Sequence, residues 1–333
     1  MNRTPNFARL RRAIVAGAIA SAALVAGANA QSYPTQPVTI VVPLAAGSGM
    51  DTIVRLYAEP LSAALGKPVV VDNRPGAALM LAATAVRGSP PDGHTLLIST
   101  SSAMAINAVL YKQIAYSPEK DFQPISYYVK SPFILVVNPA LPVKSVAELI
   151  AYVKKSEKPL TYSSPGAGVV QHLSMEYMKQ RFGLEITHVP YRNTPQSISD
   201  IAAGHVDMGF AEAGASLPLI RDGKLRALAV SSASRLPILP ETPPFAEAAN
   251  APDFEAVSWH MMFASAAVPK EIATRLHEEM GKIMANPDLK KKIADIGLLP
   301  IDTPSIPETE AYLKSEREKW GNLVRKLGLE GSQ

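Results

Sequence analysis

An apolar strand that runs into a glycine-containing loop and then into a helix occurs twice in this chain. In the first copy, Val38–Pro43 is followed by loop 44–49, and a helical pattern begins at Met50. In the second copy, Leu160–Ser163 is followed by loop 164–168, and a helical pattern begins at Val169. Such an arrangement leaves backbone N–H groups at the positive end of a helix dipole, where an anion binds. Two of these sites predict a clamp for a small carboxylate more than an enzyme.

The first 30 residues have the features of a cleavable signal peptide. A segment with arginines and no acid precedes the uncharged apolar stretch Ala13–Gly27 and the small-residue site Ala28-Asn29-Ala30. This order is typical of Sec-type secretory signals. The alternative, a membrane anchor, is disfavoured because a span needs about 20 residues and this stretch is short and rich in alanine. We therefore predict cleavage after Ala30 and a periplasmic mature protein that begins at Gln31.

Removal of that leader takes away the net positive charge. The whole chain has 33 Lys and Arg against 29 Asp and Glu, and the leader contains four arginines and no acid. The mature chain is thus balanced, which argues against nucleic acid or an anionic membrane surface as a partner. The chain has no cysteine, so disulfides, thiol nucleophiles, cysteine-ligated metals and a lipoprotein anchor are excluded.

Strand-like and helix-like segments alternate along the mature chain, which is typical of an α/β fold with mostly parallel sheets. A length of about 300 residues favours two domains. The long β-rich run Tyr127–Asn138 predicts a crossing to a second lobe, and the strand-like segment Ala256–Ala264 predicts a return. We expect lobe 1 to comprise residues 31–129 and 255–333, and lobe 2 to comprise residues 130–254.

A series of short motifs, taken in order over nearly the whole mature chain, resembles the Bug (TctC) family of periplasmic solute receptors, which serve tripartite tricarboxylate transporters. In the first half the motifs are Tyr33-Pro34, Pro37–Pro43, Gly47–Asp51, Val69–Val71, Asn73–Ala77, Pro91–Gly93 and Ala105–Asn107. In the second half they are Ser145–Leu149, Ser163-Ser164, Gly166, Gly168, His172-Leu173, His188–Tyr191 and Gly223–Val230. Together these motifs are specific for the family.

The resemblance implies a two-lobed, flytrap-like fold of the periplasmic-binding-protein type (type II-like), with the ligand between the lobes. It implies no cofactor, no catalysis, a monomer, and a membrane permease of the tripartite tricarboxylate type as partner. It also implies that loop backbone groups and ordered waters hold a ligand carboxylate. The alternative function is a signalling module that presents its ligand state to a membrane sensor kinase, and the residues do not separate the two.

The residue types near the two loops suggest how a ligand is held. Glycines allow close backbone approach, and Ser48 adds a hydroxyl donor. Asp51, at a helix start, favours a capping role that would still shape the site. Three hydroxyls follow the third strand at Thr100–Ser102, although Ser102 is also a candidate N-cap. A lone histidine such as His172 is more often a structural hydrogen-bonding group than a ligand contact, and Tyr191 could donate its hydroxyl to the ligand or stack on it.

The full set of predicted ligand contacts combines these residues with positions carried over from the family. They are Leu44, Ala46, Gly47, Ser48, Gly49, Asp51, Ser101, Ser102, Ser163, Ser164, Gly166, Gly168, His172, Tyr191, Ala211 and Glu212. Arg192 is a further candidate for pairing a second carboxylate, with a solvated surface position as the alternative.

Three departures from the family pattern bear on ligand choice. Many relatives carry a glycine pair where this chain has Ala78 and Leu79, two prolines where it has Ala45 and Ala46, and Asp-Asn where it has Ala211 and Glu212. The first two changes make the rim more apolar, so we hypothesise a carboxylate with an apolar or aromatic body rather than citrate. A Glu212 that faced the cleft would repel a second carboxylate and favour a hydroxyl or ammonium group.

Motifs of enzymes are weak in this sequence. It contains no G-x-S-x-G elbow, no H-E-x-x-H and no phosphate-binding loop with its lysine. The six histidines lack metal-ligand spacing. We therefore expect neither an enzyme nor a metal site.

Overall fold

The computed structural model describes residues 33–191, 194–252 and 254–333, so the predicted signal peptide and Arg192 lie outside the described residues. Residues 36–333 form one compact unit that contains two β-sheets flanked by helices. Among the described residues, no helix is long and apolar enough to cross a membrane.

The first sheet has six strands in the spatial order β11-β4-β10-β3-β1-β2. They are β1 (Val38–Val42), β2 (Val69–Asn73), β3 (Thr95–Ser99), β4 (Phe122–Ser131), β10 (Ser258–Ser265) and β11 (Leu299–Pro300). Strand β1 pairs in parallel with β2 and β3, because a helix connects each strand to the next. Strand β10 runs antiparallel to both β3 and β4, and β11 runs antiparallel to β4.

The second sheet has five strands in the order β7-β6-β8-β5-β9. They are β5 (Phe133–Val137), β6 (Leu160–Ser164), β7 (Ile186–Pro190), β8 (Met208–Glu212) and β9 (Arg226–Val230). Strand β6 is parallel to β7 and β8, whereas β5 is antiparallel to β8 and β9.

The helices cover both sheets. They are α1 (Gly49–Leu65), α2 (Met80–Arg87), α3 (Asn107–Leu110), α4 (Val146–Lys155), α5 (Val170–Phe182), α6 (Thr194–Ala203), α7 (Ala213–Arg221), α8 (Phe245–Ala248), α9 (Lys270–Met284), α10 (Pro287–Asp295) and α11 (Ile306–Lys326). A 3₁₀ turn at Ala77–Leu79 precedes α2, and a π-helical turn at Ser102–Ile106 precedes α3.

The predicted two-lobed α/β fold class is confirmed, with sheets that are mixed rather than mostly parallel. The antiparallel pairs arise where the chain passes between sheets. It leaves the first sheet at Ser131 and enters the second at Phe133, and it returns to the first sheet at Ser258. A strand that enters a sheet from the other lobe needs no crossover helix, so it can pair antiparallel. The lobe limits at residues 130 and 254 stay predictions.

Helix α11 connects the two cores. Its Glu316 accepts hydrogen bonds from the indole Nε1 of Trp259 on β10 (3.0 Å) and of Trp320 (2.9 Å). Trp320 and Val324 belong to a buried apolar cluster that also contains Phe133 of β5 and Ile106 of the first lobe. The last helix therefore packs against elements of both lobes.

Candidate functional site

The carboxyl ends of the parallel strands bring the predicted loops to one edge of each sheet. In the first sheet, Val41 of β1 lies opposite Leu97 of β3, so the loop after β1 and residues Thr100–Ser102 after β3 lie side by side. In the second sheet, β6 and β8 end together, because Ser163 lies opposite Gly209. Ligands of open α/β sheets bind at such edges.

Asp51 organises the first glycine loop. Its carboxylate accepts hydrogen bonds from Gly47 N (2.8 Å), Arg55 Nε (3.0 Å) and Asn73 Nδ2 (3.0 Å). Burial alone would raise the pKa of Asp51, but the hydrogen bonds from Arg55, Gly47 and Asn73 outweigh burial and lower it. Asp51 N in turn donates to the N-cap Ser48 Oγ (3.2 Å). Asp51 thus fixes the loop from behind, whereas the N-cap of α1 is Ser48 and not the predicted Asp51.

The surface of this loop is accessible. Ala46, Gly47 and Gly49 are exposed, Leu44 and Ser48 are half-buried, and Met50 is buried. Gly47 adopts φ 81°, a left-handed conformation that suits glycine. The first N–H groups of helix α1 have no intrahelical partner and lie at its positive end.

Side chains also fix the second glycine loop. Ser164 Oγ donates to Gly166 O (2.8 Å), lies 2.7 Å from His188 Nε2 and accepts from Gly166 N (3.2 Å). Gly168 N donates to His172 Nδ1 (3.2 Å), so this nitrogen is unprotonated. Helix α5 follows with Val169 as N-cap and no side-chain cap. The N–H groups of Gly47 and Gly168 are therefore already used internally, which the sequence did not predict.

A stack of rings lies behind the second loop. The ring centroids of His172 and His188 are 4.4 Å apart, and those of His188 and Tyr162 are 4.7 Å apart. Tyr162 OH donates to Glu176, which also accepts from Lys179. Burial lowers the pKa of His172, and burial together with His172 lowers the pKa of His188 to about 4. Both imidazoles are neutral near pH 7, so His172 has the structural role that was one of its two predicted alternatives.

The second loop lies against the first lobe. A Cβ placed on Gly168 would come within 1.9 Å of Leu110 Cδ2, and Gly168 has φ 80°, so a larger residue would displace the leucine and strain the backbone. Neighbouring Asn107 donates from Nδ2 to Ala78 O (2.9 Å). A continuous path of contacts therefore joins loop 164–168, helix α3 and the turn at residues 77–79.

That turn contains two unusual backbone conformations. Ala78 and Leu79 have φ values of 50° and 71°, in the left-handed region where glycine is favoured. These are the positions at which relatives were noted to carry glycines. Leu79 is half-buried and serves as N-cap of α2 without a side-chain hydrogen bond.

The hydroxyl cluster after β3 is buried. Ser101 Oγ lies 3.0 Å from Ser258 Oγ at the start of β10, and Ser102 is also buried. Thr100 Oγ1 and His260 Nδ1 are buried polar atoms for which the described residues provide no hydrogen-bond partner. The predicted Ser101 and Ser102 thus lie at the floor of the edge, next to a histidine that the sequence analysis did not single out.

The remaining predicted contacts are less accessible. Tyr191 OH donates to Asp200 Oδ2 (2.6 Å), which holds the tyrosine on its own lobe. Ser163 is buried and accepts a hydrogen bond from Ser197 Oγ (2.7 Å). Ala211 is buried in an apolar cluster with Ile134. The structure brings these residues close to the second loop but gives their side chains internal partners, and their contact with ligand stays a prediction.

Glu212 ends β8 beside the crossing between the sheets, opposite Phe133. It is half-buried, and burial raises the pKa of its carboxyl group. Its backbone carbonyl accepts from Ser216 Oγ (2.8 Å), but its carboxylate makes no cap hydrogen bond to α7 and no ion pair with a described residue. A partly desolvated carboxylate with no cation beside it among the described residues would disfavour a second negative charge nearby.

Three residues at this edge were not predicted to belong to the site. The sequence around Leu110 and His188 indicates an apolar helix and a strand, and it does not mark either side chain as part of a site. His260 falls in the strand-like run AVSWHMMFA, where one imidazole among apolar residues was a possible signal. Over the described part of the chain, no three His, Asp or Glu residues are grouped as metal ligands.

Comparison with known families gives one clear match. The model of the tripartite tricarboxylate transporter family receptor, TctC, matches residues 53–329. A relative from Pseudomonas sp. strain P51, described as a UPF0065 protein in the tcbD-tcbE intergenic region, is 33% identical over 100% of this chain and 99% of its own length.

Two solved structures share the fold and part of the sequence. Rpa4515 of R. palustris with adipate has a TM-score of 0.82 and 35% identity, covering 89% of this chain and 98% of its own. MatC (Rpa3494) of Rhodopseudomonas palustris with bound malate has a TM-score of 0.79 and 28% identity, covering 88% of this chain and 100% of its own. Both of these proteins are similar to this chain over nearly all of their length.

Proposed function

Because this chain belongs to the TctC family of tripartite tricarboxylate transporter receptors, which are binding proteins and not enzymes, we propose that it captures a small carboxylate between its two lobes in the periplasm and delivers it to a membrane permease of the tripartite type. The observation that carries this proposal is the contact of the second glycine loop with the first lobe at Gly168 and Leu110. This contact brings the loop before α5 against helix α3 of the first lobe, which supports a binding site between the two lobes.

Backbone groups, rather than a cation, provide the attraction for the carboxylate. Arg55 is engaged with Asp51, and the imidazole of His172 is neutral. The first-turn N–H groups of α1 and α5 supply partial positive charge without a counter-ion. Such a site suits the first carboxylate of an acid; adipate and malate, the acids named for the two solved relatives, each carry a second carboxylate.

The apolar rim and Glu212 narrow the ligand class. Leu44 and Leu79 are half-buried at the mouth, so they can contact an apolar or aromatic body. Glu212 would repel a second carboxylate and accept a hydrogen bond from a hydroxyl or ammonium group. We infer a ligand with one carboxylate and an apolar body, in contrast to citrate.

The test begins with the exported protein purified from the periplasm, whose released small molecules are identified by mass spectrometry. A stoichiometric carboxylic acid supports the proposal, and its chemical identity after incubation should be unchanged. A non-acidic ligand would overturn the receptor proposal for carboxylates.

Thermal unfolding with added ligands tests the ligand class. Benzoate-like acids should stabilise the protein, and citrate and adipate should not; strong stabilisation by citrate alone would refute the apolar-body hypothesis. A Glu212→Gln variant should gain stabilisation by adipate. The matched control is Glu255→Gln, because Glu255 already pairs with Lys130 (3.7 Å) in the returning segment.

A further inference from the structure

The floor of the interlobe edge contains a row of residues that crosses three strands. Strand β1 pairs with β3 as far as Val41 and Leu97, and β3 pairs with β10 as far as Ser99 and Met261, so Thr100 and His260 each lie one residue beyond the last paired residues. Neighbouring strands lie about 4.8 Å apart. Thr100 and His260 are therefore about one strand spacing apart, and the first glycine loop follows the strand on the other side of β3.

His260 faces the side of the sheet that carries helix α1. Its ring packs against Tyr128 (6.5 Å between centroids), and Tyr128 OH lies 3.4 Å from Tyr57 OH on α1. Its neighbours Trp259 and Met261 point to the opposite face, into the apolar cluster beneath α11. The alternation of β3 places Thr100 on the face of His260, since Leu97 belongs to that opposite cluster. Both side chains thus lie under the helix whose first turn borders the glycine loop.

Both side chains have unused hydrogen-bonding capacity. Thr100 Oγ1 and His260 Nδ1 are buried, and neither has a partner within the described residues. Buried polar atoms in native proteins almost always have a partner, protein or otherwise, because an unpaired one costs about 1–3 kcal/mol. Each residue keeps 6% of its surface exposed, but Thr100 Oγ1 and His260 Nδ1 are themselves buried, so a ligand oxygen reaches them only after the surrounding side chains shift.

The chemistry of this floor favours an uncharged group. Burial lowers the pKa of His260 to about 4, so the imidazole is neutral near pH 7 and offers one N–H donor and one acceptor. The aromatic groups behind it, Tyr57 and Tyr128, also remain neutral because burial raises their pKa values. A second carboxylate here would find no compensating charge, whereas a hydroxyl or keto oxygen would find both a donor and an acceptor.

We propose that Thr100 and His260 bind an uncharged oxygen of the ligand, so that the receptor recognises a hydroxy- or oxo-carboxylic acid. This inference rests on the proposed function, because it assumes a carboxylate at the first glycine loop. Because β1 and β3 are neighbouring strands, we expect the oxygen on a carbon close to the carboxylate, such as the second or third.

Matched pairs of acids test the inference. Dissociation constants for mandelate against phenylacetate, and for 3-hydroxybutyrate against butyrate, are measured by calorimetry. The wild type should bind the hydroxylated member of a pair at least about tenfold more tightly, as one buried hydrogen bond provides. Thr100→Val and His260→Phe should bring this ratio close to one while leaving the affinity for phenylacetate or butyrate unchanged.

The control variant is Ser126→Ala. Ser126 Oγ is also buried without a partner among the described residues, but it pairs with Met262, two rows below the floor. Its removal should leave the ratio unchanged. Two results would overturn the inference. One is a wild-type ratio of dissociation constants near one, as expected if the floor binds only water. The other is an equal loss of affinity for both members of a pair in the two floor variants.

Two further measurements keep the test decisive if a floor variant fails to fold. The imidazole ¹⁵N resonances of His260 in the wild type should shift on addition of mandelate and not of phenylacetate, and an absence of difference contradicts the inference. The acid released from the purified protein should contain a hydroxyl or keto oxygen. A carboxylic acid without one overturns this inference alone, whereas a non-acidic ligand overturns the proposed function as well.

Discussion

Replacement of Asp51 by asparagine tests whether the first glycine loop is held from behind. The carboxylate has only 4% of its side chain exposed and uses both oxygens: Oδ2 for Gly47 N and Arg55 Nε, and Oδ1 for Asn73 Nδ2. An asparagine that keeps its oxygen toward Gly47 directs its NH₂ group at Asn73 Nδ2. Asn73 cannot turn to accept it without losing its hydrogen bonds to Leu44 O (2.9 Å) and from Arg55 (3.1 Å).

The expected cost follows from that conflict. One donor is left unpaired in a buried position, at about 1–3 kcal/mol, and the hydrogen bonds to the remaining oxygen lose their charge assistance. We therefore expect Asp51→Asn to lower the free energy of unfolding by about 2–3 kcal/mol at pH 7. Because the loop would also lose its fixed shape, the affinity for the bound acid should fall about tenfold or more.

The pH dependence of the free energy of unfolding is an independent test of the role of Asp51. The pKa of Asp51 is lowered in the folded state, so its stabilisation is present above its ordinary pKa of 3.8 and is lost as the pH falls through the folded value. Urea unfolding of both proteins should therefore show a difference that shrinks below about pH 4. The matched control is Asp72→Asn, whose exposed pair with Arg74 (2.8 Å) should contribute less than about 1 kcal/mol. An Asp51→Asn protein as stable as that control would refute the reasoning.

Three other perturbations have defined outcomes. Leu79→Gly should raise the free energy of unfolding by about 0.5–1 kcal/mol, because it relieves a left-handed leucine, whereas Leu81→Gly in helix α2 should lower it by a similar amount; equal destabilisation in urea would contradict this. Glu316→Leu should lower the free energy of unfolding by about 2–4 kcal/mol and shift the fluorescence of both tryptophans, since two buried indole N–H groups lose their acceptor. An unchanged emission spectrum would argue against the hydrogen bonds from the two indoles to Glu316. The pKa of His188 is lowered to about 4 in the folded protein, so its contribution to the free energy of unfolding is complete above about pH 6.5 and is lost as the pH falls toward 4. Urea unfolding of His188→Phe should therefore show a smaller loss of stability between pH 7 and pH 5 than the wild type does. An equal loss of stability would exclude this role.

Local signals in the sequence were sufficient for much of the fold. Strand Thr95–Ser99 and helix Lys270–Met284 have clear apolar periods and defined ends, and Gly66 ends the first helix in a left-handed conformation. The crossing near Ser131 was visible as one long β-rich run. Mixed strand directions were not, because strand direction depends on which lobe a strand comes from.

Backbone conformations without a residue signature could not be predicted. The sequence after Gly76 favours a helix from Ala77, but the helix begins only at Met80, because Ala78 and Leu79 adopt left-handed conformations for which glycine would be the usual signal. The segment Ser102–Leu110 also favours one helix, but it forms a π-helical turn followed by a short α-helix. Both irregular segments border the interlobe edge, where packing across the lobes overrides local preference.

The candidate site shows the same division between local and long-range information. The position of Asp51 at a helix start follows from residue types, but the structure makes Ser48 the N-cap and directs the Asp51 carboxylate to Gly47 N in the loop. The hydrogen bond from Gly168 N to His172 Nδ1 depends on a distance that no local sequence pattern fixes. The same holds for Thr100 Oγ1 and His260 Nδ1, which have no hydrogen-bond partner among the described residues. Sequence reasoning therefore located the loops but not the acceptors that hold them.

Those acceptors determine what kind of binding the edge can perform. Asp51 is balanced by Arg55, and His172 is neutral, so each glycine loop is fixed by a group that adds little net charge. The attraction for an anion then comes from oriented N–H dipoles, which act over a short range and depend on geometry. Because both loops are already hydrogen-bonded internally, binding requires little further ordering of their backbone. In the proposed function, selectivity is left to the uncharged floor, the apolar rim and the single carboxylate of Glu212, which would discriminate between acids by the groups they carry beyond their first carboxylate.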